Sequence, residues 1–263
     1  MRCRLRGQTW HLGEAYLFRV NGDSMKPNDT LTEIGNIAFA FAFIVLAAAL
    51  GYRYIGLPPL IIVGGSGLIG LLAWSATYLK SPTPPEIILP CFLLTVAALE
   101  IHMMEEYLTG FGPAMSRLFN ITWTERGFLI VFAFVGPALY ALTAIGLFYR
   151  IRLAGFLAWF IFIGPGVAEF THFIFPLLKP AIDPETPQKV SHLFPNGVYI
   201  SQLPNYYLHT TGTYYFAGMY TAILPMIPGI YAVYRLLKED GQRKAFVVRE
   251  DQKTSEMPLT GLR

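Results

Sequence analysis

Long apolar runs, broken at short intervals by polar or Pro- and Gly-rich stretches, organise most of the chain. Six runs extend over Ile34–Tyr54, Pro59–Leu79, Glu86–Leu108, Gly127–Tyr149, Leu153–Leu178 and Thr213–Leu237. A bilayer core about 30 Å thick is crossed by roughly 20 apolar residues at 1.5 Å of rise each, so every run is long enough to span one. Breaker chemistry separates them: Gly56-Leu57-Pro58-Pro59, Ser81-Pro82-Thr83-Pro84-Pro85, Gly110-Phe111-Gly112-Pro113, and the Arg150 and Arg152 turn. The pattern predicts an all-α, polytopic membrane helix bundle of about six transmembrane helices. Pro137, Pro165 and Pro228 lie inside runs and are expected to kink their helices, and the kink at Gly164-Pro165-Gly166, one turn before Glu169, to open a cavity beside that carboxylate. Gly64-Gly65-Ser66-Gly67 has the look of a phosphate loop, but no Lys follows it and it sits within an apolar span. Close packing through small residues explains it better.

Composition agrees with a lipid solvent. Of 263 residues, 54% are hydrophobic and 14% charged, against roughly 25% charged in soluble domains. The expected organisation is an N-terminal cytoplasmic tail over 1–33, a six-helix domain over 34–238, and a flexible cytoplasmic tail over 239–263. The 179–212 connection, rich in Pro, Tyr, Asn and His, is the one long loop, and loops of that length carry function or stay disordered. Residues 1–30 are too interrupted by Glu14, Arg19, Asp23 and Lys26 to hold a cleavable signal peptide, so the first helix is expected to act as its own insertion signal. Met25 is an alternative start position. Cys3 and Cys91 make neither a disulfide framework nor a Cys-based zinc site. The net charge of +3 gathers in the tails and suits lipid headgroups; no basic and aromatic interleaving of a nucleic-acid binder is present.

Orientation follows from Lys and Arg near the helix ends. One set of connections carries Arg2, Arg4, Arg6, Arg19, Lys26, Lys80, Arg150, Arg152, Arg235, Lys238, Arg243 and Lys244, whereas the alternate set carries Arg53, Arg117, Arg126, Lys179 and Lys189. Twelve against five puts both termini in the cytoplasm and the long loop outside.

Ionisable residues inside the spans are the candidate chemistry. The third run ends in Glu100-Ile101-His102-Met103-Met104-Glu105-Glu106 and the fifth holds Glu169-Phe170-Thr171-His172. A charge at the bilayer centre costs at least about 2.5–3.5 kcal/mol, so an ion, a partner, water or protonation must offset it. Both segments start at the cytoplasmic side, which places His102 and Glu169 about 24 Å along their helices, at one level. On an α-helix His102 shares a face with Glu105 and Glu106, and Glu169 shares one with His172. Carboxylate and imidazole pairs on facing helices build metal sites in bundles. The expected ligands are His102, Glu106, Glu169 and His172, with His209 joining from the long loop; Glu105, Glu106 and Glu169 are the candidate catalytic carboxylates, and in the metal reading Glu105 orients a ligand or serves as general base. Zinc and iron both suit these ligand types.

His102-Met103-Met104-Glu105-Glu106, continued by Tyr107-Leu108-Thr109-Gly110-Phe111-Gly112, resembles the signature of the HXXEE-motif family of bacterial integral membrane proteins. Glu169-Phe170-Thr171-His172 and Tyr215-Phe216-Ala217-Gly218-Met219-Tyr220-Thr221-Ala222, followed by Pro225, resemble its second and third landmarks. The likeness spans about residues 86–238 and departs from the family at Ala168-Glu169, where an Asn or Asn-Glu pair is usual. It implies a bacterial inner-membrane setting and supplies no activity.

Three readings follow from these residues. The first is a membrane-embedded enzyme acting on a lipid or isoprenoid-like substrate, either through a divalent metal held by the His and Glu side chains or, without metal, through a protonated carboxyl that donates to an alkene. The second is a proton-coupled carrier whose carboxylates relay protons. The third is a structural or scaffolding subunit, with the outer loop as its partner surface. Tyr206, Tyr207, Tyr214 and Tyr215 read first as an interfacial aromatic belt. Orientation has a direct check: in whole cells an impermeant thiol reagent should label a Cys introduced within 185–200 and miss one at position 245, and the reverse pattern would invert the topology.

Overall fold

The computed structural model describes residues 27–119, 123, 125–181 and 212–256. It is helical throughout: α1 (Pro27–Tyr54), α2 (Leu57–Ala76), α3 (Pro85–Thr109), α4 (Phe111–Phe119), α5 (Glu125–Leu129), α6 (Gly136–Phe148), α7 (Arg152–Ile161) and α8 (Ile223–Glu256). A π-helical segment, Ile130–Val135, joins α5 to α6, and α7 continues through a π-helical segment, Phe162–Gly166, into 3-10 helix over Val167–Phe173 and Phe175–Leu177. Starts and stops follow local chemistry. Proline occupies the first turn of α2 and of α3, where its missing N–H is no loss, and Gly110 closes α3 in the left-handed region at φ 78°.

Among the described residues five helical stretches are long and apolar enough to cross a membrane: Thr30–Tyr54, Leu57–Ala76, Pro85–Thr109, Arg126–Phe148 and Arg152–Leu177. Their outer faces are apolar, as lipid contact requires, with Leu72 71% and Phe134 73% exposed. The chain is therefore an integral membrane protein built as a helix bundle. The sixth run, Thr213–Leu237, is divided: residues 213–216 adopt no regular structure, 217–222 form turns, and the helix starts only at Ile223. The reason lies in the polar contacts that segment makes, described below.

Trp74, Phe92, Phe156, Trp159 and Phe162 are among the largest fully buried side chains and fill the space between α2, α3 and α7. Trp74 donates its indole N–H to the Arg152 carbonyl at 2.8 Å, tying the end of α2 to the start of α7. The Gly64–Gly67 stretch serves packing: a Cβ on Gly67 would lie 2.9 Å from the Ile44 side chain, and Ser66 returns its hydroxyl to the Ile62 carbonyl. Arg243 on α8 donates to the Ser81 carbonyl at 3.0 Å, the Ser81 hydroxyl at 2.8 Å and the Thr83 hydroxyl at 3.2 Å. The basic connections at 80–85, at 150–152 and after Lys238 thus gather at one end of the bundle.

A close backbone-to-backbone crossing lies between Gly166 and Gly229. A Cβ on Gly229 would stand 2.8 Å from the Gly166 Cα, and one on Gly166 would meet the Gly229 Cα at 3.1 Å and Thr95 of α3 at 3.7 Å. At Gly166 the Gly164-Pro165-Gly166 sequence lets α8 come within backbone contact. Replacing Gly229 with Val therefore puts a branched side chain against backbone that cannot yield. We expect a loss of about 1–3 kcal/mol or more, read as a lower thermal midpoint of the detergent-purified protein; an unchanged midpoint would contradict this crossing.

Candidate metal centre

Pro165 has no backbone N–H and its ring crowds the preceding turn, so the α-helix started at Arg152 cannot run on through it. The chain widens into the π-helical segment and then tightens into 3-10 helix from Val167. In 3-10 geometry side chains three apart eclipse. Glu169 and His172 consequently stand in line, with Glu169 Oε2 3.1 Å from His172 Nδ1. On α3 the α-helical spacing aligns His102 with Glu106, whose Oε1 lies 3.5 Å from His102 Nε2.

The two pairs meet across the bundle. His102 Nε2 is 3.1 Å from Glu169 Oε2, and His172 Nε2 is 2.9 Å from Glu106 Oε1. One ligand atom from each of His102, Glu106, Glu169 and His172 can be chosen so that all four lie within 4.8 Å of one another. The side chains of His102, Glu106 and His172 are 0%, 2% and 3% exposed, whereas Glu169 keeps 14%. Glu169 is thus the most exposed member of the cluster.

Its surroundings are aromatic and closely fitted. Phe111 stacks on the His172 ring at 5.2 Å between centroids, Phe175 and Phe216 present edges to it, and the two imidazoles meet edge-on at 4.8 Å. Over the cluster passes Gly218, held at φ +83° and bonded through its N–H to the Thr109 hydroxyl at 3.2 Å. A Cβ there would lie 2.7 Å from Glu106 Cγ, 3.0 Å from His102 Cε1 and 3.1 Å from His172 Nε2. The second oxygen of Glu106 is buried and has no hydrogen-bond partner among the described residues. An unsatisfied carboxylate oxygen in such a site costs about 1–3 kcal/mol or more, which a bound cation would remove.

Separations bracket what a small cation needs. Four N and O ligands at about 2.0–2.2 Å in tetrahedral array stand about 3.3–3.6 Å apart; here the two cross-bundle contacts are 2.9 and 3.1 Å, the His102–Glu106 contact is 3.5 Å, and all four ligand atoms lie within 4.8 Å of one another. With both carboxylates ionised and both imidazoles neutral the cluster carries two negative charges, which one divalent cation balances. The donor set therefore fits a divalent metal.

Glu105, expected as a catalytic carboxylate, stands beside this cluster and faces the 213–222 segment. It accepts from the Thr221 N–H at 2.7 Å, the Thr221 hydroxyl at 2.6 Å, the Tyr215 hydroxyl at 3.1 Å and the Tyr220 N–H at 3.4 Å. These bonds satisfy backbone that a sixth long helix would have satisfied internally. Tyr215 is accordingly buried on Glu105, and Tyr214 donates to the Phe173 carbonyl. His209, Tyr206 and Tyr207 lie outside the described residues. Thr221 and Gly218 went unremarked as individual positions in the sequence; they were visible only as members of the Tyr215–Ala222 block.

Gly218→Ala combines an unfavourable positive φ with a clash against three cluster side chains. It should destabilise the protein by about 1–3 kcal/mol, whereas Gly35→Ala, which meets nothing within 4 Å, should be neutral or mildly stabilising in the same thermal unfolding measurement. Equal midpoints for the two variants would refute the close approach at Gly218. Comparison with protein-family models, curated proteins and solved structures gives no match for this chain. What the geometry establishes is an integral membrane helix bundle with a buried His/Glu cluster capable of coordinating a divalent metal.

Proposed function

We propose that the chain is a membrane-embedded, metal-dependent enzyme acting on a lipid or isoprenoid-like substrate. The supporting observation is the His102, Glu106, Glu169 and His172 cluster, whose four ligand atoms lie within 4.8 Å inside an apolar bundle. Those four residues would hold the metal, zinc or iron on ligand type. A divalent ion there supplies Lewis acidity when bound. Glu169, the exposed edge of the cluster, is the residue a substrate reaches first, and the carboxylates of Glu106 and Glu169 are the groups placed to hold or move a proton. Lipophilic character follows from the approach: Phe170, on the same 3-10 segment as Glu169, and Ile174, just after it, expose apolar side chains.

Membership of the HXXEE-motif family belongs to the same proposal. Its support is spatial, since His102 and Glu106 of the first landmark, Glu169 and His172 of the second and Gly218 of the third all adjoin one cluster. A bacterial inner-membrane location with both termini cytoplasmic agrees with that family likeness and with the twelve-to-five charge count.

A proton-coupled carrier is the second reading, and one contact favours it. The His172 ring spans Glu106 and Glu169 with its two nitrogens, as a ring passing a proton between carboxylates would. Elemental analysis separates the two. Detergent-purified protein should carry about one divalent ion per chain, and His102→Ala and His172→Ala should lose it while still inserting in the membrane. Metal-free wild type that also fails to take up added Zn2+ or Fe2+ would leave the carrier reading in its place.

A further inference from the structure

His102 has a second nitrogen, and it does not face the cluster. Its Nδ1 lies 3.1 Å from the Thr221 hydroxyl oxygen, which in turn lies 2.6 Å from Glu105 Oε2. A hydroxyl has one proton to give and lone pairs to receive with. The short contact to an ionised carboxylate, which can only accept, commits the Thr221 proton to Glu105. Toward His102 the same oxygen can then only accept, so Nδ1 must be the protonated nitrogen. In the neutral ring the lone pair consequently sits on Nε2, facing Glu169 Oε2 at 3.1 Å and Glu106 Oε1 at 3.5 Å. A lone pair aimed at two carboxylate oxygens is repulsive unless positive charge lies between them.

We infer that Thr221 and Glu105 are positioning residues that fix His102 as its Nδ1–H tautomer and present Nε2 to the cation. This rests on the metal reading given above and adds to it an orienting relay that touches no ligand position other than His102. The relay also explains why two adjacent glutamates diverge. Glu106 turns its carboxylate to His172 and the cluster, and Glu105 turns its own to the segment that carries Thr221. One helix thus supplies both a ligand and the anchor for that ligand's orienting group. The 213–222 segment is held where it is by the same carboxylate, so closing Gly218 over the cluster and setting the His102 tautomer are one structural event.

Two measurements on full-length, detergent-purified protein test this. In metal-free protein labelled with 15N-histidine, two-bond proton–nitrogen spectra report which ring nitrogens of His102 are protonated, with His102→Gln giving the assignment. Wild type should show a protonated Nδ1; Thr221→Val should lose that fixed state, and Thr221→Ser should restore it. In Co2+ titrations followed by visible absorption, Thr221→Val should bind about 10–100-fold more weakly than wild type, as removal of an orienting partner does, and Thr221→Ser should bind as wild type does. Glu105→Gln, which keeps the shape and removes the charge, should weaken binding in the same direction. An unprotonated Nδ1 in the wild type, or equal Co2+ affinity in wild type and Thr221→Val, overturns the relay and leaves the metal centre standing. Wild type that binds no Co2+ overturns the centre itself and the assignment of Nε2 with it.

Discussion

Four ionisable side chains drawn together inside an apolar bundle impose the constraint around which the rest is arranged. Two carboxylates and two imidazoles, with ligand atoms within 4.8 Å, cannot sit in hydrocarbon separately, because each would lose its hydration with nothing in return. Bringing them together requires two helices to present short side chains at one level and a third element to close over them. The departures from regular α-helix near the cluster serve that end. Pro165 breaks the fifth span into π-helical and 3-10 segments, and the 3-10 repeat aligns Glu169 over His172. The Gly166 and Gly229 crossing brings α8 against the same segment just before Glu169.

The most consequential irregularity is the stretch 213–222, apolar enough to have been helix. Backbone outside regular structure is tolerated at membrane depth only where protein satisfies its polar groups. Here a single carboxylate does much of that: Glu105 receives the N–H groups of Tyr220 and Thr221 together with the Thr221 hydroxyl, while Thr109 takes the N–H of Gly218. Gly218 can then lie flat across the cluster at φ +83°, with no side chain to intrude. A continuous helix would have placed side chains over His102 and His172, where the structure places bare backbone.

The two ends of the molecule differ in character. At one, Arg243 clasps Ser81 and Thr83, the Lys244 ammonium reaches the Ala76 carbonyl, and Trp74 bonds to Arg152. These contacts fix three basic connections to one another. At the other end α3 stops at Gly110, α4 packs Phe111 on His172, and the 213–222 segment covers the cluster. Headgroup-compatible cations thus gather at one pole and the buried ionisable cluster lies toward the other.

Much of this was legible in the residues alone. Run length and composition determine that the chain must be helical and membrane-embedded, since no other open structure satisfies its backbone in lipid. Spacing determines that His102 shares a face with Glu106 and that Glu169 shares one with His172, and the energetic penalty for isolated charges predicts that the two pairs should meet. Tertiary structure alone decided the rest. Spacing puts Glu105 and Glu106 both near the face of His102, and only packing could give the Glu105 carboxylate Thr221 as its partner. The apolar content of Thr213–Leu237 favours helix through its whole length, and a local pattern cannot report that a carboxylate more than 100 residues earlier will accept its backbone N–H groups. Hydrogen bonds of that kind join positions that are remote in sequence, so no window along the chain contains both partners.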